Sequence, residues 1–144
     1  MKRRRFLASI LALFGFSRTG NASHGTSLDI DRLAEAAYEL MVIRCASFTY
    51  DVAGWPRWKD FNPKWKGVWL VVVAEIGKYV AADPDNLDHV PRLAYELYFT
   101  TYDTFDDNPL PHPTWEAGLD AYGKDSWRNI VALVKRKMGR SKDR

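Results

Sequence analysis

Apolar residues recur at helical spacing in four stretches of this chain. Leu33, Ala37, Leu40 and Met41 share one face of a helix predicted over 27–45. Trp65, Trp69, Val72, Val73, Ile76 and Val80 form the stripe of a second helix, predicted over 63–81. Leu93, Leu97 and Tyr98 define a third over 89–103, and Trp127, Ile130, Val131, Val134 and Met138 a fourth over 124–138. Start and stop signals support these spans. Thr26 and Asp29 match a capping box. Asn62-Pro63 places a capping side chain before a first-turn proline. Asp88 and Pro91 are expected to open the third helix, and Gly139 stands where a C-cap glycine would end the fourth. The valine run 71–73 by itself would suit a strand, but the helical stripe around it overrides that reading. The expected fold class is all-α, a compact bundle of about four main helices with an N-terminal leader helix.

The four stretches are not independent. Shifting the chain by 57 residues lays Ala37-Tyr38-Glu39-Leu40 on Ala94-Tyr95-Glu96-Leu97, Pro56 on Pro113 and Trp58 on Trp115. One further residue of offset lays Trp69 on Trp127 and Val72-Val73-Ala74 on Ile130-Val131-Ala132. Each unit reads as a helix, a polar loop, a Pro-any-Trp turn and a second apolar helix. The expected organisation is a leader at 1–25, a two-repeat domain at 26–138 (units 28–82 and 88–138) and a basic tail at 139–144. Tyr38, Glu39, Trp58, Trp69, Tyr95, Glu96, Trp115 and Trp127 form the repeat signature. Trp58 and Trp115 are expected to plug the bundle ends on short helical turns. Glu39 and Glu96 are expected to hydrogen-bond the indoles or nearby backbone.

Charge divides the chain differently. The 144 residues carry a net charge of +3, with 21 basic and 18 acidic side chains. Residues 1–25 hold five basic and no acidic groups, and 135–144 hold six basic and one acidic. The body between them is therefore acidic, with 10 basic and 17 acidic residues. Nucleic acid is not an expected partner of such a body. The tail, with Lys135-Arg136-Lys137, could touch phosphate or anionic lipid, although cations also favour a helix C-terminus.

Lys2 to Arg5 precede an apolar run, Phe6 to Phe16, that spans about 16 Å as a helix, half of what a bilayer requires. Small residues Gly20 and Ala22 follow. This order fits an export leader. Arg3-Arg4-Arg5-Phe6-Leu7 resembles the twin-arginine export signal, with Arg3, Arg4, Phe6 and Leu7 on its core positions. Lys2 departs from the polar residue expected there, and the start is short. The resemblance implies an exported or envelope-associated protein, with residues 1–22 able to contact membrane. The alternative is a cytoplasmic protein in which Leu7, Ile10, Leu11 and Phe14 share one helical face and pack on the body.

Ala-Tyr-Glu, then Pro-any-Trp, then a tryptophan-opened apolar helix is similar to small modules common in bacteriophage and prophage genes. Those often read Leu-Pro-any-any-Trp and later Trp-Arg. The second unit has Leu110-Pro111-His112-Pro113-Thr114-Trp115 and Trp127-Arg128. The first departs, with Gly54-Trp55-Pro56-Arg57-Trp58 and Trp69-Leu70. The likeness covers 33–137 and implies an origin, with no activity, cofactor or site residue to transfer.

Catalytic motifs are missing from the pattern. Cys45 is the one cysteine, which excludes an internal disulfide and a cysteine-based metal site. His24, His89 and His112 show no metal-ligand spacing. Asp83, Asp85 and Asp88 lack the glycine and the closing glutamate of a calcium loop. Asp103, Asp106, Asp107 and Asn108 read as a solvated acidic loop. The sequence offers no catalytic, cofactor-binding or metal-binding set, and no cofactor is expected. The expected function is a non-enzymatic binding or interaction module with a protein partner. The competing readings are an exported accessory protein and an enzyme using Glu39 or Glu96.

Overall fold

The computed structural model describes residues 26–48 and 52–142, so the leader expected at 1–25 lies outside the described residues. The described residues form four α-helices and no strand: α1 (Thr26–Ser47), α2 (Pro63–Ala82), α3 (Val90–Phe105) and α4 (Ala121–Lys142), with a 3-10 turn at Trp58–Asp60. α2 packs on α1 and α3, α4 packs on α3 and α1, and α2 and α4 meet across the diagonal. The valine run 71–73 lies within α2, where Val72 and Val73 are buried and Val71 is partly so. Three apolar residues in a row thus serve two sides of a helix that is packed on several neighbours.

Helix ends follow local chemistry in some places and not in others. Asn62 caps α2 by accepting from the Lys64 backbone N–H at 2.9 Å, with Pro63 in the first turn. At α3, His89 holds the cap position without a side-chain hydrogen bond, so Asp88 is not the cap. Thr26 lies inside the first turn of α1 and does not precede it. Gly139 does not end α4. The helix runs through it to Lys142, because nothing at Gly139 demands a turn and the flanking lysines and arginines are good helix formers. The helical part of the expected tail therefore belongs to α4.

The core joins both halves of the bundle. Ala37, Tyr38, Val72, Val73 and Ile76 are buried together with Ala94, Tyr95, Ile130, Val131 and Val134, which stand at the offset positions. The equivalence extends to specific contacts. Tyr38 Oη donates to the Pro56 carbonyl at 2.7 Å, and Tyr95 Oη donates to the Pro113 carbonyl. Each tyrosine ring lies 5.8 Å from its tryptophan, Trp58 or Trp115. Each also stands edge-on at 6.0 Å to the second-helix tryptophan, Trp69 or Trp127. Those two indoles stack on each other at 6.1 Å and 15°, at the junction of the halves. Trp58 is buried, whereas Trp115 is only partly so.

The halves differ where polar groups are involved. Arg44 on α1 staples α4: its Nε donates to Ser126 Oγ at 3.0 Å, and its Nη2 reaches Asp125 at 3.1 Å. The guanidinium also lies 4.1 Å from the Tyr122 ring centre, while Tyr122 Oη donates to the Arg44 carbonyl at 2.6 Å. The offset counterparts of Arg44 and Ser126 are Thr101 and Val68. Val68 cannot accept a hydrogen bond, and the buried Thr101 hydroxyl has no partner among the described residues. Losing one side of a polar pair leaves the other side orphaned.

Candidate functional site: an aromatic cleft between the halves

A cleft of about 830 Å³ opens where the two halves face each other. The sequence-equivalent positions line it in pairs. α1 supplies Tyr38, Met41 and Cys45, and α3 supplies Tyr95, Tyr98 and Tyr102. The loops bring Phe61 and Asn62 on one side and Leu119 and Asp120 on the other. α2 and α4 contribute Trp69 and Trp127 to the floor. The pairing breaks on the walls. Trp65 and Asp60 in the first half correspond to Gly123 and Gly118 in the second. The large groups therefore crowd one side, and the side of α4 is left open.

Local sequence explains how each wall is held. Tyr38, Met41, Cys45 and Phe48 fall at helical spacing and make one stripe of α1 face the cleft. Trp65 stacks on Tyr102 at 4.7 Å, joining the start of α2 to the end of α3. Phe48 stacks on Tyr122 at 4.4 Å. Gly118 permits the second loop to fold tightly, since a Cβ there would lie 2.7 Å from Pro113 Cβ. Pockets of a few hundred to about 1,000 Å³ with mostly apolar walls and few polar groups are typical of ligand sites.

The charged groups on the lining are Asp60 and Asp120, and no Lys, Arg or His lines it among the described residues. Asp120 Oδ1 accepts from the Gly123 backbone N–H at 2.7 Å. Arg44 is adjacent, but its charge is engaged by Asp125. Burial pushes the Tyr38, Tyr95 and Cys45 acidities weaker than usual. Tyr98 is raised furthest, by burial first and by the neighbouring Tyr102 next. These are the shifts of apolar surroundings that disfavour charge.

Several residues singled out in the sequence lie elsewhere. Glu39 and Glu96 are exposed and outside the cleft. Glu96 accepts from Arg92, one turn earlier, at 3.0 Å, and Arg92 also pairs with Glu116 beside Trp115. Glu96 is thus a surface ion-pair partner and not the hydrogen-bond partner of an indole. The tyrosine hydroxyls hold the Pro-any-Trp turns instead. His112, read as a plain loop residue, pairs its Nε2 with Asp103 Oδ1 at 2.8 Å and lies 3.9 Å from the Phe99 ring. The acidic cluster is accordingly not uniformly solvated: Asp103 belongs to α3 and anchors the loop, while Asp106 turns back on the Asn108 backbone N–H at 3.0 Å. No group of three metal-ligating side chains occurs among the described residues. No described helix is long and apolar enough to cross a membrane.

The cleft residues missed in the sequence are Met41, Cys45, Trp65, Tyr98 and Tyr102. The signal that could have found them is the offset itself, since it pairs Met41 with Tyr98 and Cys45 with Tyr102. Set against family models, curated proteins and solved structures, the chain finds no match in any of the three.

Proposed function

We propose that this chain is a non-enzymatic binding module of phage or prophage type, built from two tandem copies of one helical unit, whose aromatic cleft receives an apolar ligand group. The observation that carries the reading is the cleft of about 830 Å³ lined by paired positions of both halves. Duplicating a hairpin with one apolar face creates a shared core and, where the two faces diverge, a shared cavity. The recurrence of the tyrosine-to-proline hydrogen bond supports the two-copy reading.

A neutral apolar fluorophore, N-phenyl-1-naphthylamine, tests it by titration against the full chain. Met41→Glu places a charge on the apolar wall and should weaken binding about tenfold or more, as expected for a charge forced into apolar surroundings. Trp55→Ala, at the exposed edge of the cleft, should weaken it less while leaving helical content unchanged. Unaltered affinity in both folded variants would remove the cleft as a binding site.

A further inference from the structure

We propose that the ligand of the cleft is a lipophilic organic cation of the quaternary onium class, with its apolar groups among the rings and its charge offset by Asp60 and Asp120. This rests on the cleft being a ligand site and names the chemistry it selects. The make-up of the wall is the first argument. Half of the described lining residues are aromatic, and Val68 and Leu119 are the branched aliphatic ones among them. A hydrocarbon needs no such wall, since aliphatic side chains would bury it as well. Aromatic rings differ in that their faces carry partial negative charge, which attracts cations. The fold already uses this attraction at the cleft, where the Arg44 guanidinium lies over the Tyr122 ring. Trp55, Trp65 and Tyr98 line the same cleft with no cation over them among the described residues.

Charge placement is the second argument. Arg44 bonded to Ser126 and Trp65 stacked on Tyr102 show that α1 and α3 finish at the end of the bundle where α2 and α4 start. Asp60 precedes α2 and Asp120 precedes α4, so both exposed carboxylates stand at that end of the cleft. The Asp60 side chain enters no ion pair and no hydrogen bond among the described residues. Asp120 spends one oxygen, Oδ1, on the Gly123 backbone N–H. That bond needs an oxygen and not a charge: Asn62, at the matching place before α2, caps its helix with a neutral amide. The charge of Asp120 thus remains available to a ligand. With no lysine, arginine or histidine on the described lining, an anion would meet two like charges and a cation two opposite ones.

Tetraphenylphosphonium and tetraphenylborate have nearly the same size and shape and opposite charge, so together they separate charge from apolar fit. Each is titrated against the full chain carrying N-phenyl-1-naphthylamine, and displacement of this probe is read at low and at high salt. The phosphonium should displace the probe at a concentration about tenfold or more below that of the borate, and added salt should narrow the gap. An exposed carboxylate contributes about threefold, so Asp60→Asn and Asp120→Asn should each weaken the phosphonium by that factor and together by about tenfold. The affinity of the neutral probe should not change. Equal or tighter binding of the borate, with Met41→Glu still weakening the probe, overturns the proposal and leaves the binding module standing. A preference for the phosphonium that survives both substitutions in one folded chain also overturns it, since the charge is then recognised elsewhere. If the double variant does not fold, the two single variants decide on the same criterion. No probe binding by the parent chain removes both readings.

Discussion

Tyr38 and Tyr95 show how one side chain can hold a turn eighteen residues away. Proline offers no backbone N–H but keeps its carbonyl, and each phenol donates to that carbonyl from within the core. The ring beneath it packs on the tryptophan two residues beyond the proline. Removing the hydroxyl leaves a carbonyl that water can reach, since Pro56 and Pro113 are exposed. Tyr38→Phe and Tyr95→Phe should therefore each cost about 1 kcal/mol and add to about 2 in the double variant. Denaturant midpoints read at constant slope check this. A loss confined to one variant would mean that the two bonds are not equivalent in solution. Glu39 and Glu96 recur in the sequence as faithfully as the tyrosines, yet they face solvent. Recurrence alone does not distinguish a core contact from a surface ion pair.

Helices in this chain are defined by their buried stripes more than by their punctuation. Asn62-Pro63 predicts the start of α2 correctly because the asparagine oxygen and the orphaned N–H are neighbours in sequence. Gly139 misleads because a glycine ends a helix only when the chain beyond turns away. Here α4 continues, with open space around Gly139. Gly139→Ala should consequently stabilise the protein by about 0.5–1 kcal/mol, the helix-interior difference between the two residues. Were Gly139 a left-handed cap, the same change would destabilise it, so the sign of the shift in thermal midpoint decides.

Across the whole molecule, the aromatic interior couples stability to alkaline pH. Burial raises Tyr38, Tyr95 and Tyr98 above the ordinary phenol value of 10.0. The neutral phenol is the form the fold accepts, so their contribution is complete below about pH 10 and is lost as pH climbs toward the folded-state values. Each such tyrosine adds a slope of up to about 1.4 kcal/mol per pH unit in that window. The melting temperature should begin to fall above about pH 9, where the buried Cys45 thiol resists the ionisation open to it in the unfolded chain, and fall more steeply above about pH 10 as the tyrosines add their share. Tyr98→Phe should shallow the fall, because it removes the most strongly shifted of the three. An unchanged slope in that variant would show that Tyr98 ionises freely in the folded protein.

The sequence by itself determines the all-α class, the four helices and their buried stripes, because helical periodicity and the Asn62-Pro63 start are encoded within a few residues of where they act. It also carries the offset that pairs Tyr38 with Tyr95 and Trp69 with Trp127. Only the tertiary structure decides which paired positions face each other across a cleft. Met41 and Tyr98 read as ordinary core stripe, and Tyr102 carries no signal of its own, until α1 and α3 are placed on opposite sides of the stacked indoles. The same holds for Arg44 with Ser126, whose bond joins helices from distant parts of the chain, and for His112 with Asp103, whose bond depends on how the loop after α3 folds back on that helix. Apolar periodicity specifies that a face is buried, whereas the neighbour it is buried against depends on crossing angles and loop paths set by the whole core.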